Sequence, residues 1–465
     1  MQEVIKKSMN PLEYRSIPRL LIMFAVPAVI SMLVNAVYNI VDQIFIGQGV
    51  GYLGNAATTV SFPIVTIILS IGTLLGAGGS SYAAIKLGEK REEEATKTLC
   101  NVFILLVVAG IILTIVGLLF LDPILNIFGA TPQNIDYSRT YATIILIGAP
   151  FNLVGIGLSN MARTDGAPKL AMYSMLAGAI LNTILDPIYI FVFHWGVGGA
   201  AIATITSQII STIILVRYFI KKGNMRFSKK DMKVDLNICR KVFSLGVSSC
   251  IIQISATIMQ IIMNNSLVYY GAMSSVGGDV ALSAMGVVSK VSMIITSICI
   301  GIGIGAQPIL GFNRGANKPK RIMKTYMIAA SMATFVSCVG LVLCYMFPEQ
   351  ILQVFGSQDV LFANFAKQCM QIYMLGIFTA GFQITATSYF QATGQPLKAS
   401  ILSMLRQLIL LIPLILVLPT FFGVKGILYA GPIADITSGV VVACFMIYEL
   451  KKLSKQIKNQ ELVVS

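Results

Sequence analysis

Charge is what this 465-residue chain has least of. Asp, Glu, Lys and Arg make up 11% of it, less than half of the roughly 25% usual in soluble domains. Too few polar side chains remain to cover a wet surface, which excludes a soluble enzyme and a disordered chain alike. There is a single histidine, His194, and a single tryptophan, Trp195, and the eight cysteines include no Cys-x-x-Cys pair. A zinc site and a disulfide framework therefore lack the residues they need. No Gly-x-x-x-x-Gly-Lys-Ser/Thr loop occurs, so ATP hydrolysis by the chain itself is not expected. No acids are paired within an apolar run, which speaks against a membrane-embedded prenyl- or glycosyltransferase, and the chain is not expected to be an enzyme. The polar first 16 residues carry no small-residue cleavage signal, so a cleaved signal peptide is not expected either.

Apolar residues are abundant, at 56%, with a mean hydropathy of +0.81. Twelve long apolar stretches can be marked, at about 17–46, 56–87, 98–121, 137–163, 169–193, 197–220, 238–270, 280–311, 323–347, 362–392, 397–418 and 423–450. Each is long enough to cross the hydrocarbon core as a helix of about 20 residues. Lipid cannot satisfy an open backbone, and the stretches do not alternate as barrel strands would, so helices are expected.

The chain carries 34 Lys and Arg against 19 Asp and Glu, a net charge of +15. The basic residues lie in short strips between apolar runs, which argues against nucleic acid as a partner. Threading twelve spans places nearly all of these bases on the side of the N-terminus. The exceptions are Arg139, Lys367 and Lys425 on the other side and Lys290 within a span. The positive-inside rule then makes the N-terminal side the cytoplasm, with both termini there.

The two halves of the chain repeat each other. DPILNIFG (122–129) answers EQILQVFG (349–356), GAGGSSYAAIKLGEK (76–90) answers GIGAQPILGFNRGANK (303–318), and WGVGGA (195–200) answers FGVKGI (422–427), at offsets near 227. IPRLLIMFAVP (17–27) aligns with ICRKVFSLGVS (238–248) at an offset of 221. Six spans is an even number, so both halves have the same topology, a parallel repeat about an axis along the membrane normal. The expected fold is an all-α integral membrane protein of twelve transmembrane helices in two six-helix bundles related by a pseudo-two-fold. The expected organisation is an N-terminal lobe at 1–220, a basic cytoplasmic linker at 221–237, and a C-terminal lobe at 238–465 with a basic tail.

NIVDQIFIG in span 1, LNTILDPIYI in span 5, GGAAIAT in span 6 and ATGQP in the second half together resemble the multidrug and toxic compound extrusion family, over nearly the whole chain. The resemblance is to the bacterial branch whose cation site lies in the N-terminal half. It implies a secondary active exporter that rocks two lobes and exchanges Na⁺ or H⁺ for amphipathic, often cationic organic molecules. It implies no cofactor beyond that coupling ion, a bacterial inner (plasma) membrane location and a functional monomer. A lipid-linked sugar flippase of the same superfamily is the alternative, but it calls for more bases in the central spans than Lys290 and Arg406.

Three acids lie well inside spans, Asp42, Asp186 and Asp435, and each costs about 2.5–3.5 kcal/mol to place at the bilayer centre. Asp42 shares a helical face with Asn35, Tyr38 and Asn39. Asn182 and Asp186 share a face of span 5, and Pro187 should bend the helix beside them. With Thr204 of span 6 they supply two carboxylates, an amide and a hydroxyl. That is a hard-oxygen set suited to Na⁺, or equally a carboxyl pair that could share and exchange a proton. By the resemblance, Asp42, Asn182, Asp186 and Thr204 match the family's N-lobe cation site. In the second half Asp42 maps to Met263, Asn182 to Leu410 and Asp186 to Leu414, while Asn39 maps to Gln260 and Gln43 to Asn264. An amide-lined wall opposite the cation set is expected, with Asn35, Tyr38, Asn39, Gln260, Asn264 and Lys290 as candidate substrate-cavity residues. Lys290 and Asp435 are read as a structural ion pair, and Arg406 as snorkelling towards the cytoplasmic end of its span.

With the exposed native cysteines removed, new cysteines at Ser228 and Lys318 should react with an impermeant thiol reagent only from the cytoplasmic face, and one at Ser275 only from the opposite face. Reaction of 228 and 275 from the same face would refute the twelve-span threading.

Overall fold

The structure, a computed structural model, describes all residues except 1–10, 51, 129, 131, 133, 229, 355–359 and 465. The side chains of Asn39 and Gln43 also lie outside the described residues, as does the FGSQ segment of the second half. Among the described residues twelve helices are long and apolar enough to cross a membrane. They are α1 Ile17–Val50, α2 Tyr52–Gly88, α3 Glu92–Leu119, α4 Ile135–Thr164, α5 Pro168–Val192, α6 Gly196–Lys221, α7 Leu236–Ala272, α8 Gly278–Gly315, α9 Pro319–Met346, α10 Phe362–Ala392, α11 Pro396–Phe422 and α12 Val424–Val464. Short helices Leu121–Ile127 and Pro348–Val354 occupy corresponding places after α3 and α9.

The repeat is written into the backbone. Left-handed φ values recur at equivalent turns: Lys90 at 62° and Asn317 at 52°, Gly166 at 88° and Gly394 at 79°, Gly196 at 55° and Gly423 at 57°. Each member of a pair lies 227 or 228 residues from its partner. The fold is thus two six-helix bundles related by a parallel pseudo-two-fold.

Apolar packing shows how the bundles are joined. The first part of α1, through Ile17, Leu20, Leu21, Phe24 and Ala25, belongs to a core with Cys299, Ile302, Ala306 and Ile309 of the other half. The later part of α1 turns back to its own half, where Ile46 packs with Ile190 and Ala200. The counterpart helix α7 does the same. Ile238 and Val242 join the core of the first half, whereas Met263 and Leu267 pack with Ala281, Cys369 and Ile415 of the second. Each half's first helix therefore leans on the other half near the N-terminal side and on its own half further along.

Glycines make this exchange of helices possible. A side chain at Gly88 would collide with the Phe312 carbonyl, and one at Gly315 with the Ile85 carbonyl. These two clashes are images of each other at an offset of 227. Gly78 meets the Val242 carbonyl, Gly246 the Leu74 carbonyl, Gly301 the backbone of Val29, and Gly305 the backbone of Ala25. All of these approaches lie in the halves of α1, α2, α7 and α8 nearest the N-terminal side. Among the described residues no glycine makes such an approach between the two halves at the opposite ends of these helices.

The connection between the halves is clasped to the first lobe by Asp165, in the turn between α4 and α5. Its carboxylate accepts the Tyr218 hydroxyl at 2.7 Å and the amides of Asn224 and Met225 at 2.8 and 2.7 Å. The Asn224 side-chain amide donates back to the Asp165 carbonyl at 2.9 Å. Burial pushes the Asp165 carboxyl up to about 6, against the opposing pull of these donors.

Gly88→Leu and Gly315→Leu should each lower the melting temperature of the purified protein, by similar amounts. Overpacking of this kind costs about 1–3 kcal/mol. Unchanged melting of both variants would mean that the seam is not packed as described.

Candidate functional site

The cation-site candidates are carried by three helices of the first half. α5 is regular through Pro187 and then passes into a π-helical turn, Ile188–Val192, closed by the Phe193 amide donating to the Ile188 carbonyl. Proline has no N–H to give the preceding turn, and an irregular turn there is the local response. It leaves Asn182 and Asp186 stacked on one face directed at α6 and the later part of α1.

Asp186 is fully buried, and Asn182 and Thr204 are 2% and 8% exposed. The Asn182 amide donates to Asp186 Oδ1 at 3.2 Å and lies 3.4 Å from the Thr204 hydroxyl. Asp42, on α1, brings its carboxyl against that of Asp186. Asp42 Oδ1 and Asp186 Oδ2 are both buried without a hydrogen-bond partner. Among the described residues neither acid forms an ion pair. Two facing carboxyls with unfilled acceptors, an amide and a hydroxyl make a cluster short of positive charge. Hard-oxygen donors of this kind suit an alkali cation, and the facing carboxyls equally suit a shared proton. Among the described residues no group of three His, Cys, Asp or Glu is placed to hold a transition metal.

Two tyrosines complete the wall. Tyr38, one turn before Asp42, lies beside both carboxyls. Tyr141 of α4, buried to 7% exposure in the apolar core of the first half, lies close enough to feel the charge of the same pair. The sequence offers no signal for Tyr141, since it begins an ordinary apolar run and no spacing links it to Asp42. Asn35 is half-buried on α1, and Asn39 has no described side chain.

The second-half candidates do not join this cluster. Gln260 donates to Asn264 at 2.9 Å along α7, forming a partly exposed amide pair, and Met263, in the place of Asp42, is buried in apolar packing. Lys290 is exposed and makes no ion pair among the described residues. The pairing of Lys290 with Asp435 is therefore incorrect, and so is the snorkelling of Arg406. Arg406 turns inward, and its Nε donates to Asp435 Oδ1. The reason is adjacency. α11 and α12 form a hairpin that brings Arg406 and Asp435 together, whereas α8, which carries Lys290, packs mainly on α1, α2, α9 and α10.

Removing one partner of a buried pair leaves an orphan charge and costs about 3–5 kcal/mol, whereas removing both can be nearly neutral. Arg406→Met alone and Asp435→Leu alone should each melt well below the double variant, while Lys290→Met should melt like the parent. Additive losses for Arg406 and Asp435 would overturn the pairing.

Comparison with known proteins places this geometry in context. The MatE family model matches residues 27–188 and 249–417. The chain is similar to the multidrug export protein MepA of Staphylococcus haemolyticus (strain JCSC1435), with 28% identity over 447 residues, covering 94% of this chain and 95% of the relative. It is similar to the protein of the same name from Staphylococcus saprophyticus, with 27% identity, covering 92% and 93%. Among solved structures it resembles one described as the outward-facing conformation of a multidrug resistance MATE family transporter of the MOP superfamily. There the TM-score is 0.90 at 21% identity, covering 96% of this chain and 98% of that one.

Proposed function

We propose that this chain, which belongs to the MatE family, is a multidrug exporter that exchanges Na⁺ or H⁺ for amphipathic, often cationic organic compounds. Its place is the bacterial plasma membrane, with both termini in the cytoplasm. The likeness to proteins named as multidrug exporters supports the substrate class.

One observation carries the coupling. Asp42 and Asp186 are buried face to face with unfilled acceptor atoms and no basic partner among the described residues. Asp42 rides on the helix whose other end is packed into the opposite lobe. Two carboxylates held so close repel when both are ionised. A cation or proton between them removes the repulsion and draws the later part of α1 onto α5. Helix α1 cannot move there without disturbing its contacts with α8 at Gly301 and Gly305. Cation occupancy thus favours one arrangement of the lobes, and a substrate that binds better in the other arrangement is exchanged against it. Asn182 and Thr204 supply neutral oxygens and hold Asp186 in place.

Asp42→Asn and Asp186→Asn should each reduce efflux to the level of vesicles lacking the protein, with normal amounts of protein in the membrane. Everted vesicles or proteoliposomes given ΔpH and ΔNa⁺ separately would read this and identify the coupling ion. Transport at the parental rate by both variants under the same gradient would refute the role of the pair.

A further inference from the structure

The connection between the lobes is fixed to the first lobe at both ends. At one end Asp165 holds Asn224 and Met225, and the Phe227 ring lies against Phe103 of α3 and Phe219 of α6, with centroids 4.9 and 5.9 Å apart. At the other end the Asp235 amide donates to Asn101 Oδ1 of α3 at 2.7 Å. The Asp235 carboxylate caps α7 by accepting from the Asn237 and Ile238 amides at 2.8 and 3.4 Å. Asn101 is 1% exposed, and its side-chain amide donates to the Lys97 carbonyl at 2.9 Å. Between these two fixings the chain stands off α3 and leaves an open groove of about 610 Å³, within the roughly 300–1,000 Å³ of small-molecule sites.

The groove is lined in two ways. Lys97 of α3 and Lys230 and Lys233 of the connection supply three ammonium groups, all on exposed residues and none in an ion pair among the described residues. Two carboxylates share the groove, those of Asp231 and Asp235, and the second is engaged by the first amides of α7. Over residues 221–241 eight bases stand against these two acids. Beside the ammoniums lie Val234 and Leu236, 57% and 79% exposed. Leu236 opens the span Leu236–Ala272, and Lys97 immediately precedes the apolar run of α3. The groove is therefore level with the lipid headgroups on the N-terminal side of the membrane. Unpaired ammoniums next to exposed apolar side chains at that depth match an amphiphile with a negative head. A soluble anion would leave Val234 and Leu236 uncovered, and the lysines would repel an organic cation.

We propose that this groove binds the phosphodiester headgroup of an anionic phospholipid, whose acyl chains leave past Val234 and Leu236 into the bilayer. Bound there, the lipid ties Lys97 of α3 to Lys230 and Lys233 of the connection. It steadies the point at which α7 enters the core of the first half through Ile238 and Val242. None of the lining residues belongs to the cation cluster, and the site does not depend on the coupling proposed above.

The test uses the full-length chain, delipidated in detergent. Phosphatidylglycerol and phosphatidylcholine with the same acyl chains are added in turn, and bound lipid is counted by native mass spectrometry. The parent should take up one phosphatidylglycerol more tightly than any phosphatidylcholine. Lys97→Gln, Lys230→Gln and Lys233→Gln should each weaken that binding about fivefold, and the triple variant should weaken it about a hundredfold. Leu236→Gln should weaken it as well. Lys451→Gln, Lys452→Gln and Lys455→Gln together remove the same charge from the C-terminal tail and should leave the tight phosphatidylglycerol in place. Glycerol phosphate at the lipid's concentration should not displace it. Equal losses from the groove and tail triples, or no loss from the groove triple, would overturn the proposal. Displacement by glycerol phosphate would mark a site for soluble phosphates and overturn it too. Should the groove triple not fold, the three single variants carry the same test.

Discussion

The arrangement depends on an exchange of first helices. α1 begins in the core of the second half and ends in its own, and α7 does the reverse. This exchange requires backbones to approach more closely than side chains permit, and it accounts for the paired glycines at 88 and 315 and for Gly78, Gly246, Gly301 and Gly305. In lipid there is little hydrophobic gain from pressing two apolar helices together, so association rests on close packing of small residues. The pseudo-two-fold makes the Gly88 and Gly315 contacts images of each other.

Burial of charge then distinguishes two lobes that the backbone makes alike. The first lobe keeps its acids between α1 and α5 with Thr204 of α6 beside them, and the second keeps an ion pair between α11 and α12. In the first lobe two acids share the cluster with an amide and a hydroxyl, and acceptors are left over. In the second lobe an acid and a guanidinium satisfy each other, and the acid's backbone is held by Thr379, Gln383 and Ser438. A cluster short of positive charge gains from a visiting cation, and a balanced one does not. On the exchange proposed above, both lobes share one frame and only the first would respond to the ion.

Much of this was legible in the chain. The twelve apolar stretches coincide with the twelve helices to within a few residues at most ends, because a bilayer leaves the backbone no other solution. The repeat was legible because its turns demand particular residues: Gly166 and Gly394, and Gly196 and Gly423, have left-handed φ values that other residues adopt at a cost. The face shared by Asn182 and Asp186 followed from helical periodicity alone. The partner of Asp435 did not follow. Matching an acid to a base by sign leaves Lys290 and Arg406 equally eligible, and only the α11–α12 hairpin decides between them. Tyr141 was invisible for a related reason. Its place near Asp42 and Asp186 depends on how α4 packs on α5 and α6, and no local spacing encodes that.

The magnitudes show why a seam made this way suits a moving part. At Gly78, Gly88, Gly246 and Gly315 the hydrogen that replaces a side chain points at a carbonyl oxygen of the other half. Contacts of the Cα–H···O type contribute about 0.5–1 kcal/mol each, so four of them amount to about 2–4 kcal/mol. Turning a two-state equilibrium from 1:99 to 99:1 takes about 5.5 kcal/mol of differential binding. The directional part of the seam is thus smaller than the energy that the proposed rocking would require of its ligands, and of the same order as the 1–3 kcal/mol typical of coupling between sites. Ion pairs across the seam would raise that barrier. Among the described residues the ion pairs with a buried carboxylate, Arg406–Asp435 and Lys398–Glu449, both lie within the second half. These ion pairs brace the second lobe, while close backbone approaches and the bonds from the Arg321 guanidinium to the Leu12 and Arg15 carbonyls join the halves. On the proposed coupling, α1 is the element that would carry a charge change at Asp42 to its contacts with Gly301 and Gly305.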